Sequence, residues 1–256
     1  MKCTSCGSEN VVFMKFNGKW QCTDCGAAFN AAPSSSASSV LNSRRNNSAA
    51  AGTAASGSST KSASAPSEVE RLTEEIGESY KLAMQMASNG EFDKLEAVMD
   101  KMILQSERLI AIDADSLLSG NHYCDVLSYV SRIRIVEGKY SDALQLLKRC
   151  SDVCSKFESD YADDYIYNSS LYQVCIGYFD LYKARNRLDA AKDYATLANE
   201  ACSRMLKASP SDELALGYSA EVLANIGSIE VLSGNVKQAV DFSIKSLDHC
   251  LKLFDT

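Results

Sequence analysis

The sequence predicts a mainly α protein: an α-solenoid of about four helical hairpins, preceded by a small β module on a disordered linker. Three observations predict it. Turn-like segments recur every 48 residues through the C-terminal three quarters of the chain. Residues 31–66 are almost wholly Ser, Ala, Asn, Gly and Thr. Four cysteines stand in two Cys-x-x-Cys pairs within the first 25 residues.

The first element is residues 1–30. Cys3-x-x-Cys6 and Cys22-x-x-Cys25 are separated by fifteen residues. Four thiolates at this spacing close a tetrahedral zinc site, the arrangement of a zinc ribbon. Each pair is followed by glycine, Gly7 and Gly26, which permits the φ > 0 turn that aims N–H groups at the thiolates. Val11 to Phe16 reads as a strand, Asn17-Gly18 as a two-residue hairpin turn, and Lys19 to Cys22 as the partner strand. Thirty residues are too few to fold on a hydrophobic core alone. Structural zinc contributes roughly 10–16 kcal/mol to such modules. The competing readings are a redox dithiol pair or unrelated thiols. Phe13, Phe16, Trp20 and Phe29 form either a miniature core or a contact surface.

The form Cys-x-x-Cys-Gly-Ser-x-Asn followed by Cys-x-Asp-Cys-Gly resembles the N-terminal ribbon of transcription factor IIB-type proteins. The resemblance covers about a tenth of the chain and implies one structural Zn²⁺ held by Cys3, Cys6, Cys22 and Cys25. It also implies contact with RNA polymerase or nucleic acid. The cyclin-like repeats that follow the ribbon in those factors are not apparent.

The second element is the linker, residues 31–66. Its large apolar residues are Val40 and Leu41, and it has no acidic or aromatic residue. It cannot bury enough surface to offset the entropy of ordering, so disorder is expected. As a flexible coil it spans roughly 35 Å. Arg44-Arg45 reads as an isolated solvated pair.

The third element is residues 67–256. Ser67 with Glu70 has the capping-box pattern of a helix start. Ser209 before Pro210 reads as a second N-cap with proline at N1. The repeat aligns Gly90, Gly138, Asn186 and Gly234. Sixteen residues on stand Ser106, Cys154, Cys202 and Cys250; nineteen on stand Leu109, Phe157, Met205 and Leu253. Eight before stand Leu82, Val130, Tyr178 and Ile226; twelve before stand Glu78, Val126, Val174 and Val222. Each unit reads as helix A, a tight turn, then helix B. The Cys154, Cys202 and Cys250 column reads as small packing residues, not a second metal site.

Gly138, Tyr140, Ala143, Leu147 and Cys150, echoed by Gly234, Val236 and Ala239, resemble the second half of the tetratricopeptide repeat (TPR). The period of 48 departs from the usual 34, and the first-half Trp and Leu-Gly signature is mostly absent. The resemblance implies a concave face lined by the A helices that holds a protein or peptide partner. It places Arg132, Gln173, Asp180, Lys183, Glu221 and Ser228 on that face.

Charge narrows the function classes. Residues 1–66 hold six basic and two acidic residues; the other 20 basic and 31 acidic residues give the body a charge of about −11. Such a body repels a phosphate backbone. No apolar run approaches the roughly 20 residues of a bilayer span, and no secretory h-region follows Met1. Six further cysteines fall in helical patterns, which fits a reducing, cytoplasmic compartment. His122 and His249, the two histidines, sit in no catalytic motif, and no glycine-rich phosphate loop is present. Asp160, Asp163 and Asp164 fall between two units, where acids usually start a helix. The expected function is a non-enzymatic scaffold or adaptor whose solenoid binds a protein partner and whose ribbon is a second contact module. The alternative is a nucleic-acid- or RNA-polymerase-associated regulator that works through the ribbon.

Overall fold

The structure, a computed structural model, describes residues 2–3, 7, 11–14, 19–22, 28–29 and 66–254. The linker expected over 31–66 lies, but for Pro66, outside the described residues. At the N-terminus β1 (Val11–Met14), β2 (Lys19–Cys22) and β3 (Ala28–Phe29) form an antiparallel sheet in the order β1-β2-β3. Val11 pairs with Cys22 and Met14 with Lys19. The Asn17-Gly18 turn and the Lys15-Phe16 end of the first expected strand lie outside the described residues.

Eight helices follow among the described residues. They are α1 (Glu68–Asn89), α2 (Phe92–Ile112), α3 (Leu117–Val136), α4 (Tyr140–Tyr161), α5 (Tyr165–Ala184), α6 (Leu188–Ala208), α7 (Glu213–Leu232) and α8 (Val236–Lys252). The second helices begin at Phe92, Tyr140, Leu188 and Val236, 48 residues apart. The same turn precedes each. Gly90, Gly138, Asn186 and Gly234 have φ of 73°, 76°, 55° and 79°. In each turn the next residue's N–H reaches back five residues: Glu91 to Met86, Lys139 to Arg134, Arg187 to Tyr182 and Asn235 to Glu230, at 2.8–2.9 Å. This is the Schellman ending, which satisfies carbonyls that a helix C-terminus leaves orphaned.

Helix starts are set by side chains. Ser67 and Glu70 exchange the reciprocal bonds of the capping box at 3.2 and 2.7 Å. Asp164 caps α5 through the N–H groups of Ile166 and Tyr167. The expectation for Ser209 and Pro210 is corrected: Ser209 ends α6, and Asp212 caps α7 by accepting from the Ala215 N–H at 2.8 Å. Asp is as good a cap as Ser, and its position starts α7 at Glu213, three residues after Pro210.

Each A helix packs on its own B helix, and α2, α4 and α6 pack on the first helix of the next unit. Helices thus stack serially in a solenoid-like manner. The A helices α3, α5 and α7 carry apolar residues all round, whereas α4, α6 and α8 are amphipathic. A helix flanked on several sides must be apolar on several sides; an outer helix needs one stripe. In α5, Tyr167, Tyr172, Tyr178, Phe179 and Tyr182 are all buried, and Tyr178 and Tyr182 stack with Tyr194 of α6. Gly177 permits this closeness: a Cβ there lies 2.4 Å from Leu147 Cδ2 of α4.

The packing columns hold in the inner units. Ser106, Cys154 and Cys202 are buried, as are Leu109, Phe157 and Met205. The first unit departs from the others. Leu82 and Glu78 are exposed where Val130, Tyr178, Val126 and Val174 are buried, because among the described residues no helical unit precedes α1 to cover it. No described helix is long and apolar enough to cross a membrane.

Candidate functional site

Four A helices converge on one concave surface. A cavity of about 330 Å³ is lined by Tyr80 and Lys81 of α1, His122 and Asp125 of α3, Gln173 of α5 and Tyr218 of α7, among others. Beside it lies a charged network. Arg132 Nε donates to Asp180 Oδ2 at 2.8 Å, and its Nη2 donates to Glu221 Oε1 at 3.3 Å. The other Glu221 oxygen accepts from Tyr172 Oη at 2.8 Å. Tyr172 stacks on Tyr218, with ring centroids 4.0 Å apart and planes 13° apart. Gln173 Nε2 completes the chain by donating to Tyr218 Oη at 2.8 Å.

Four of the six residues expected on this face therefore meet in one network: Arg132, Gln173, Asp180 and Glu221. Two do not join it. Lys183 is exposed, with its ammonium 5.3 Å from the centroid of the Phe179 ring. Ser228 donates to the Asn225 carbonyl of its own helix at 2.8 Å, which satisfies its hydroxyl locally.

The electrostatics follow from partial burial. Burial raises Asp180, and the neighbouring Arg132 guanidinium opposes it. For Arg132, burial disfavours the charged form, but Asp180 and Glu221 more than offset it. Burial pushes Tyr80 and Tyr218 up to about 12 and lowers His122. Asp125 is pushed up to about 7 by burial. Among the described residues its carboxylate has no hydrogen bond and no ion pair.

Asp125 was not among the sequence-level candidates, although the repeat marks it. Its 48-residue column reads Gly77, Asp125, Gln173, Glu221, and the last two were singled out. The TPR resemblance directed attention to charged positions on α5 and α7 and passed over the same column on α3.

At the ribbon, Cys3 and Cys22 are buried, while Cys6 and Cys25 lie outside the described residues. Gly7 has φ of 75°, and its N–H donates to the Cys3 carbonyl at 2.9 Å, the turn expected after the first pair. In the helical domain, Cys124, Cys150, Cys154, Cys175 and Cys202 are buried unbridged thiols. Contact with the Cys150 and Cys154 thiols and then burial raise Cys124, and burial raises Cys175, so the sulfurs of Cys124 and Cys175 stay protonated and pack as small apolar groups. Among the described residues no three His, Cys, Asp or Glu side chains converge as a metal site.

The fold is that of a helical-repeat protein. No protein-family model matches the chain, and no curated protein matches it significantly.

Proposed function

We propose that the chain is a non-enzymatic adaptor that holds a protein or peptide partner in the groove of its helical repeats. A ribbon held by one structural zinc at Cys3, Cys6, Cys22 and Cys25 serves as a second contact module. The observation that supports this reading most is the convergence of α1, α3, α5 and α7 on one concave, polar and aromatic surface. Such surfaces on stacked hairpins take extended or helical segments of partners. Arg132, Asp180 and Glu221 are engaged with one another, and among the described residues of the groove no nucleophile stands beside a base, which favours recognition over chemistry. The partner-binding residues in this reading are Arg132, Gln173, Asp180 and Glu221, with Lys183 and Ser228 at the margin.

The test is affinity capture from cells with the full chain and with a double variant, Arg132→Glu with Tyr218→Ala. Proteins retained by the natural chain and lost from the variant support the reading. Identical capture profiles, with both chains equally helical, overturn it.

A further inference from the structure

We propose that the cleft around Asp125 is a receptor for a positively charged side chain, an arginine guanidinium or a lysine ammonium. This rests on the adaptor reading and names what that groove recognises. The Asp125 carboxylate lines the cavity with no hydrogen bond or salt bridge among the described residues, whereas nearby Asp180 and Glu221 are both engaged by Arg132. Tyr80 and Tyr218 line the same cavity, and Tyr129, one turn along α3 from Asp125, meets Tyr80 at 4.8 Å between ring centroids. The Tyr129 hydroxyl is buried with no partner among the described residues. Ring faces carry negative quadrupole potential and attract a cation over them. An unpaired carboxylate among phenol rings is costly when empty and satisfied by a cation. The other charged or titratable groups at the cleft are Lys81 of α1, His122 and Arg132 of α3, and Glu221 of α7. Arg132 is neutralised by its two acids, so the groove's excess charge is negative. A volume of about 330 Å³ admits one long side chain with water.

The test is calorimetric titration of the full chain at pH 8 and low salt with short Gly/Ser peptides bearing arginine, lysine or citrulline. The arginine and lysine peptides bind, and citrulline, the neutral isostere of arginine, binds at least about tenfold more weakly. Asp125→Asn loses about tenfold for the cationic peptides, and Tyr129→Leu weakens them while the carboxylate remains. Equal binding of citrulline and arginine, or no binding of either, overturns the proposal. A gain in peptide affinity on replacing Arg44 and Arg45 by serine assigns the cation to this chain's own linker; no change assigns it to a partner. If Asp125→Asn leaves cellular capture unchanged while the Arg132/Tyr218 variant abolishes it, this inference fails and the adaptor reading stands.

A different observation carries a second inference: α8 pairs with α8 of another copy of this chain. Val240, Ile244, Leu247, Leu251 and Phe254 lie at alternating spacings of four and three and are 50–85% exposed. That is the seam of a helix packed lengthwise on another helix. In the inner units the equivalent positions touch the next A helix: Glu96 to Arg134, Ser151 to Tyr178 and Lys192 to Glu230. Val240 and Leu247 occupy those positions in α8. The opposite end of the stack cannot cover them, because α1 presents Glu68, Glu70, Arg71, Glu74 and Glu78 outward. Like-to-like pairing covers both stripes and closes. With Val231 and Leu232, seven large apolar side chains at this end of the stack are 50–85% exposed.

Sedimentation equilibrium of the full chain across the micromolar range tests it. The expected mass is that of two chains, reduced to one by Val240→Glu with Leu247→Glu while helical circular dichroism is unchanged. A natural chain that remains a monomer throughout, or a variant that remains a dimer, overturns it.

Discussion

Lys192 Nζ lies 2.6 Å from Glu230 Oε1 across the α6–α7 interface, and the Glu230 side chain is 1% exposed. Two units earlier the same positions hold the opposite signs: Arg134 Nη2 lies 2.6 Å from Glu96 Oε1. Between them the column carries Leu144 against Tyr182. One packing site therefore accepts a pair in either polarity or an apolar contact, which shows that the repeat conserves geometry rather than residue type. Asn235 Nδ2 also donates to Glu230 at 2.7 Å, so the buried carboxylate is fully engaged. Reversing the pair as Lys192→Glu with Glu230→Lys is expected to restore much of the stability that either single change removes. Lys192→Ala alone costs about 1–3 kcal/mol by leaving a buried carboxylate without its cation. Lys192 and Asn235 hold Glu230 below its usual value, so the contribution is present above pH 4.5 and is lost as pH falls through the lowered value. Urea midpoints of the cycle at two pH values check both statements.

Asn186 stands at φ 55° where the other three turns have glycine. Asn tolerates the left-handed region better than other L residues, and β-branched residues do not. Asn186→Val is expected to cost about 1–2 kcal/mol, and Asn186→Gly to be neutral or slightly stabilising. Thermal melts of the two variants decide it; equal melts sink the shared-turn account.

Burial holds Asp125 protonated up to about pH 7, whereas an ordinary Asp titrates at 3.8. The folded chain thus keeps a proton that the unfolded chain has released, and stability falls as pH rises between those values. Asp125→Asn is expected to stabilise the chain by about 1–3 kcal/mol at pH 8 and by nothing near pH 4. Denaturant titrations at both pH values measure the difference.

The Arg132 pairs look prominent but are 43% exposed on the Arg132 side chain and 41% on Glu221. Exposed pairs contribute about 0.2–1 kcal/mol. Arg132→Ala is expected to leave the melting temperature nearly unchanged while altering capture, which separates a recognition role from a structural one.

Chelation is expected to unfold residues 1–30 and leave helical circular dichroism nearly unchanged, because a linker of 31–66 composition transmits no packing. A large loss of helix signal contradicts it.

The helical register was readable because each unit must reverse direction at the same place. A left-handed turn admits few residues, so Gly90, Gly138, Asn186 and Gly234 announce it. Ser106, Cys154 and Cys202 were legible for a related reason: a close helix crossing limits side-chain volume. Ser209 and Pro210 misled because propensity favours a cap there, whereas Ser209 closes α6 and Asp212 caps α7. Leu82 misled because burial depends on a neighbour that the first unit lacks.

Taken alone, the amino-acid order determined the period and the succession of helices, since these follow from local turn chemistry and helical spacing. Tertiary structure alone decided that Arg132, Asp180, Glu221 and Tyr172 share one network, that Asp125 stands unpaired among tyrosines, and that α8 leaves its seam open. Those facts depend on how far successive hairpins rotate about the stack, a sum of many small packing contacts that no short stretch of sequence encodes.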